Sequence, residues 1–220
     1  MESAVFFLVG LPLAFICSQL VVKLTDFEEE IVEGADERKL PWQVAPWTGR
    51  VRWGVVLLLP VFMAVAGSRF DVAQAAMISL IVGAMLVCTA TDLLRYRVPN
   101  VITYPSIVVA LLAAVFMPDA DLVSAVLAAL AAGFCFFVLA VITRGGLGLG
   151  DVKLAVLIGA LLGLNAVAAI FWGVIAGGIV IFALYATGVV GRKEPVPYAP
   201  FLALAAISVA LLQGVAFAPL

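Results

Sequence analysis

Residues 125–142 read AVLAALAAGFCFFVLAVI, eighteen consecutive positions without a charged side chain. A run of this kind leaves no polar face for a helix at the surface of a water-soluble domain. It is long enough to be a candidate for crossing a bilayer as a helix. A membrane β-barrel strand would alternate apolar and polar residues at every second position, which this run does not do. Residues 166–190 form a second such stretch. The chain as a whole is 65% hydrophobic and 12% charged, with a mean hydropathy of +1.24, where soluble domains sit near one half and one quarter. The fold class expected is therefore all-α, a polytopic transmembrane helix bundle.

Dividing the apolar runs at charges, prolines and glycines gives about eight segments. They lie at 4–22, 54–67, 72–91, 101–117, 122–143, 152–164, 166–190 and 200–217. The segments at 54–67 and 152–164 are short for spans and are expected to tilt, re-enter or lie buried among other helices. The first segment follows Glu2 and no basic cluster, and it is long enough to span, so it reads as a retained first helix and not as a cleaved signal peptide. Lys and Arg accumulate on the cytoplasmic side of membrane proteins. Lys23, Arg38, Lys39, Arg50 and Arg52 follow the first segment, Arg95 and Arg97 the third, Arg144 and Lys153 flank the loop after the fifth, and Arg192 and Lys193 follow the seventh. Only Arg69 falls on the opposite face. An eight-span chain in a plasma membrane then has both termini outside and the loops near Asp92 and Asp151 inside.

Two regions follow: residues 1–71, two helices around a cytoplasmic loop at 23–53, and residues 72–220, six helices carrying the polar motifs. The loop is too short for a core of its own and is expected to be solvated, with a substrate-contacting element as the alternative.

Composition also excludes. A net charge of −2 without basic clusters removes nucleic acid as the partner. The absence of histidine removes Ser-His and Cys-His catalysis and His-based zinc sites. Cys17, Cys88 and Cys135 stand singly in apolar runs and read as small buried hydrophobes.

Two segments interrupt the apolar text with carboxylates. Thr91-Asp92-Leu93-Leu94-Arg95-Tyr96-Arg97-Val98-Pro99-Asn100 ends one apolar segment and turns at Pro99, with Asn100 a natural N-cap for the next helix. Gly145-Gly146-Leu147-Gly148-Leu149-Gly150-Asp151-Val152-Lys153-Leu154 opens another, its glycines permitting backbone shapes and approaches closed to other residues. Taken alone, Asp151 reads as a helix cap and Asp92 as an ordinary boundary residue. Both at one face and one depth read as a functional pair, because ionisable groups near the membrane core are functional candidates. Two carboxylates in a low-dielectric site share a proton. One then serves as the base that activates water and the other as the acid. Lys153, two positions from Asp151 on a helix, does not face it and is expected to reach the interface or a carboxylate elsewhere.

Gly148-Leu149-Gly150-Asp151-Val152-Lys153-Leu154 resembles the G-x-G-D-x-K-L signature of prepilin peptidases. Asp92 with Pro99-Asn100 is similar to that family's first aspartate, followed by a Pro-Asp or Pro-Asn pair. Pro197, Pro200 and Phe201-Leu202-Ala203 resemble its P-x-x-P-F-L-A segment. The resemblance covers roughly residues 80–210. It implies an aspartic endopeptidase, with Asp92 and Asp151 catalytic and Gly148, Gly150, Lys153, Pro99, Asn100, Pro197 and Pro200 supporting them. It would cut the leader peptides of type IV prepilins or pseudopilins at the cytoplasmic face, without a cofactor or metal for proteolysis. Members that also methylate carry paired C-x-x-C motifs in the first loop. Residues 23–53 contain no cysteine, which leaves zinc and S-adenosylmethionine-dependent methylation without support. A presenilin-like protease cutting inside transmembrane helices is an alternative with the same dyad. A transporter using the aspartates for cations or protons, with 145–150 as a broken helix, is another.

Overall fold

The computed structural model describes residues 2–31, 45–116, 121–143, 147–191 and 196–214. Among these the regular structure is helical: α1 (Glu2–Ile31), α2 (Ala45–Arg69), α3 (Val72–Arg95), α4 (Asn100–Phe116), α5 (Leu122–Ile142), α6 (Leu149–Leu162), α7 (Ala166–Ala186) and α8 (Ala199–Gln213), with a 3-10 turn at Gly163–Asn165. This is an all-α, multi-pass membrane protein. Each segment read from the sequence has its helix. Length and composition qualify five stretches as membrane spans, with α6 to α7 counted as one continuous stretch. α4 and α8, at 17 and 15 residues, are shorter; at 1.5 Å per residue they reach about 26 and 23 Å against a hydrocarbon core of about 30 Å.

Two helices outrun their apolar segments. α1 continues to Ile31 because Lys23–Ile31 changes polarity without a proline or glycine, and Leu and Glu are good helix formers. α2 starts at Ala45, with Pro46 in its first turn where a missing N–H costs nothing. The short segment at 54–67 is thus the inner part of a 25-residue helix. Of the expected loop at 23–53, residues 32–44 lie outside the described residues.

Contacts divide the chain into two compact units, Met1–Pro99 and Asn100–Leu220. In the first, a Cβ on Gly10 would stand 2.8 Å from Pro60 Cα and one on Gly67 would stand 2.5 Å from the Phe6 ring. The partner number rises as the other falls, so α1 and α2 are antiparallel and nearly touch at their glycines. α3, which the sequence division grouped with residues 72–220, packs in this unit on α1 and α2.

In the second unit α6 is the central helix, flanked by α4, α5, α7 and α8. α5 shows how the unit is built for lipid. Apart from Phe136, its buried positions are the small residues Ala125, Ala129, Ala132, Gly133 and Ala140, while Leu127, Leu130, Phe134, Phe137 and Val141 point outward. Small residues inside and large ones outside are what membrane helices need, because lipid is as apolar as leucine and close packing is what draws helices together. A Cβ on Gly159 would lie 2.5 Å from the Ala128 carbonyl oxygen, and one on Gly133 would lie 2.5 Å from Val156 Cγ2. α5 and α6 therefore run antiparallel at near backbone contact. Gly163 ends α6 with φ 53°, a positive angle suited to glycine, and the Leu164 N–H just beyond it donates to Ser124 Oγ at 3.1 Å.

Gly159→Val should destabilise the chain by about 1–3 kcal/mol, since the added carbons meet the backbone of α5. Gly178→Ala, with nothing within 4 Å of the new carbon, should not destabilise it and should stabilise it by up to about 1 kcal/mol through helix propensity. Thermal unfolding of the two variants in detergent checks both.

Candidate active site

On α3, Ile81, Met85, Cys88 and Asp92 follow one another at helical spacing on a single face, and all four are buried. A stripe that is apolar for three turns therefore ends on a carboxylate only 6% exposed. Aspartate rarely occupies such a position without a function or a partner. The Thr91 hydroxyl beside it donates back to the Val87 and Cys88 carbonyls, each at 3.0 Å. One turn on, Tyr96 closes the helix with φ 54° and ψ 36°, its N–H donating to the Asp92 carbonyl oxygen at 2.8 Å. A left-handed conformation in a residue with a side chain costs about 1–2 kcal/mol. Val98 and Pro99, both buried, follow outside any helix, and the residue before a proline disfavours the helical region.

Asp151 repeats the pattern in the second unit. Asp151, Leu154, Ala155, Ile158 and Leu162 form one buried face of α6. The carboxylate is 8% exposed and again stands at the end of the apolar stripe. It is not the helix cap: Gly148 is, with φ −73° and ψ 146°, and Asp151 is the third helical residue. Its Oδ2 accepts from the Gly148 N–H at 3.3 Å. Gly148 and Gly150 do not use the backbone freedom the sequence suggested for them. The glycines with positive φ among the described residues are Gly163, Gly188 and Gly214. A Cβ at Gly148 would lie 3.4 Å from Asp151 Oδ2, an ordinary contact. Gly145 and Gly146 lie outside the described residues.

Lys153, half-buried, pairs with no carboxylate among the described residues. Its Nζ donates to Asn100 Oδ1 at 2.6 Å and lies 5.6 Å from the centre of the Tyr104 ring. Asn100 opens α4, and Tyr104 stands one turn further along. Pro197 is buried and Pro200 lies in the first turn of α8. Between them, Tyr198 donates its hydroxyl to the Val174 carbonyl at 3.3 Å, and its ring fills the space over Gly177. Burial first, and the charge of Asp151 second, push the Tyr198 phenol up to about 12. Tyr198 thus remains a neutral donor at physiological pH and lies within the field of Asp151. Neither Tyr198 nor Tyr104 is among the site residues expected from the sequence. The available signals were Tyr198's place between two motif prolines and Tyr104's spacing of four from Asn100. Asp92 and Pro99 belong to the first unit; Asn100, Gly148, Gly150, Asp151, Lys153, Pro197 and Pro200 belong to the second.

The model of the type IV leader peptidase family matches residues 79–215. The chain belongs to that family, and the matched interval holds both aspartates and all three quoted segments. The prepilin leader peptidase/N-methyltransferase of Bacillus subtilis (strain 168) is 35% identical over 161 residues, 72% of this chain. The match spans 64% of that relative's own length. No solved structure matches the chain.

The two kinds of aspartate should separate in stability measurements. Asp121 caps α5 through its Oδ1, which accepts from the N–H groups of Val123 and Ser124, so Asp121→Ala should cost about 1 kcal/mol. Asp151→Asn keeps a side-chain oxygen for the Gly148 N–H and should unfold within about 0.5 kcal/mol of the parent chain. Denaturant titration in micelles distinguishes them.

Proposed function

We propose that this chain is an aspartic endopeptidase of the plasma membrane that removes the leader peptides of type IV prepilins or pseudopilins at the cytoplasmic face. The observation that carries this reading is the shared placement of Asp92 and Asp151. Each is a buried carboxylate at the end of an otherwise apolar helical stripe, and each lies in a motif of the leader peptidase family. The chemistry this reading requires is one proton shared between the two carboxylates, because two charges cannot both persist cheaply in a low-dielectric site. The ionised member takes a proton from water as it attacks the scissile carbonyl. The protonated member donates to the oxygen that becomes negative or to the departing amine. Histidine, which the chain lacks, has no part in this chemistry, and neither does a metal or cofactor.

The relative's name also includes N-methyltransferase. Residues 23–53 contain no cysteine from which to build C-x-x-C pairs, so cleavage alone is proposed. The distribution of Lys and Arg supports an orientation with both termini outside and the motif loops in the cytoplasm.

Incubating membranes containing the chain with a prepilin and following the products by mass spectrometry tests the assignment. Asp92→Asn and Asp151→Asn should each lower cleavage by about 10³-fold or more, because removing one member of a catalytic unit removes most of its effect. Cleavage at the parent rate in either variant contradicts the reading. The same spectra report whether the mature N-terminus is methylated. For orientation, a cysteine replacing Arg97 should be shielded from an impermeant thiol reagent in intact cells, and one replacing Arg69 should be labelled.

A further inference from the structure

The hydrogen bond between Lys153 Nζ and Asn100 Oδ1, 2.6 Å across 53 residues of sequence, joins two of the motifs quoted above. Both residues sit at helix beginnings, Asn100 opening α4 and Lys153 just after the first turn of α6. A helix N-terminus carries positive partial charge and disfavours a cation. A solvated lysine contact adds little stability by itself. An ammonium between two such helix ends therefore contributes nothing to folding that a neutral side chain would not. It does fix geometry. The bond from Gly148 to Asp151 is internal to the same turn and cannot set how that turn is rotated against its neighbours. The bond to Asn100 can, since α4 is packed on α6 within the same unit, and the Tyr104 ring limits the ammonium on a second side.

We propose that Lys153 is a positioning residue: held by Asn100 Oδ1 and the Tyr104 ring, it sets the rotation of the first turn of α6 and with it the direction of the Asp151 carboxylate. Lys153 and Asp151, two apart, face different ways on the helix, so the effect runs through the turn and not through contact between the two charges. The proposal rests on the reading of Asp151 as a member of the catalytic pair.

The test uses the full chain in liposomes with a prepilin substrate. Lys153→Met and Asn100→Leu should each reduce kcat about tenfold, the scale of a small misplacement of a reacting group, with KM within about twofold. The double variant should be no slower than the slower single one, because the two changes break one interaction. Asn100→Asp, which keeps the acceptor oxygen, should recover cleavage to within about threefold of the parent, as a charge-assisted bond replaces a neutral one. Parent-like kcat in Lys153→Met, fully multiplicative losses in the double variant, or losses that match a lower folded fraction would overturn the proposal. A second readout does not depend on cleavage. In a background with Cys17, Cys88 and Cys135 replaced by Ala, the alkylation rate of Asp151→Cys should change several-fold on adding Lys153→Met or Asn100→Leu, and no further with both. An unchanged rate overturns the positioning role. A parent chain that fails to cleave, with the alkylation coupling intact, counts against the peptidase reading and leaves the positioning role standing.

Discussion

A carboxylate set into the apolar stripe of a membrane helix is the constraint around which the structure is arranged. Such a group is costly in its charged form unless neighbours stabilise it, and proteins keep it where it is used. Two stripes here end this way, on Asp92 and on Asp151, both less than a tenth exposed. The surrounding helix ends are correspondingly unusual. α3 stops in a left-handed tyrosine, at a conformational cost. α6 starts on a glycine whose N–H is met by the carboxylate three residues on.

The second unit shows how such an end can be held. Without a hydrophobic driving force between helices, the position of α6 depends on how closely its neighbours can approach. Gly159 and Gly133 let α5 and α6 meet at backbone distance. α7 and α8 are joined in the same manner, with Gly173 against Leu202 and Gly177 against Tyr198. These contacts fix the middle and far end of α6, and Lys153 joins its near end to α4. Tyr198, carried by the same packing, brings a neutral phenol into the field of Asp151.

Much of this was legible in the text of the sequence. Apolar runs located the helices of the described residues because an unbroken run leaves the backbone no option in lipid but to bond within itself. The motif aspartates stood out because carboxylates are rare in such text. Helix ends were less legible. A charge ends an apolar run without ending a helix, so α1 overran to Ile31 and α2 began nine residues before its apolar segment, at Ala45. The glycines before Asp151 suggested special backbone shapes, yet Gly148 is extended like any residue. The partner of Lys153 was not legible at all. A contact between helices depends on their rotation, which small residues such as Gly133 and Gly159 set through packing that no local pattern encodes.

The central claim is that Asp92 and Asp151 work on one substrate bond, which requires the two side chains to meet. Cross-linking measures this directly. In a chain without its native cysteines, cysteine is placed at positions 92 and 151 and treated in the membrane with bifunctional thiol reagents of graded length. The account predicts an intramolecular link with the shortest reagents, inhibited by added prepilin. Linking only by the longest reagents, or none while a neighbouring pair across α5 and α6 links readily, would contradict it.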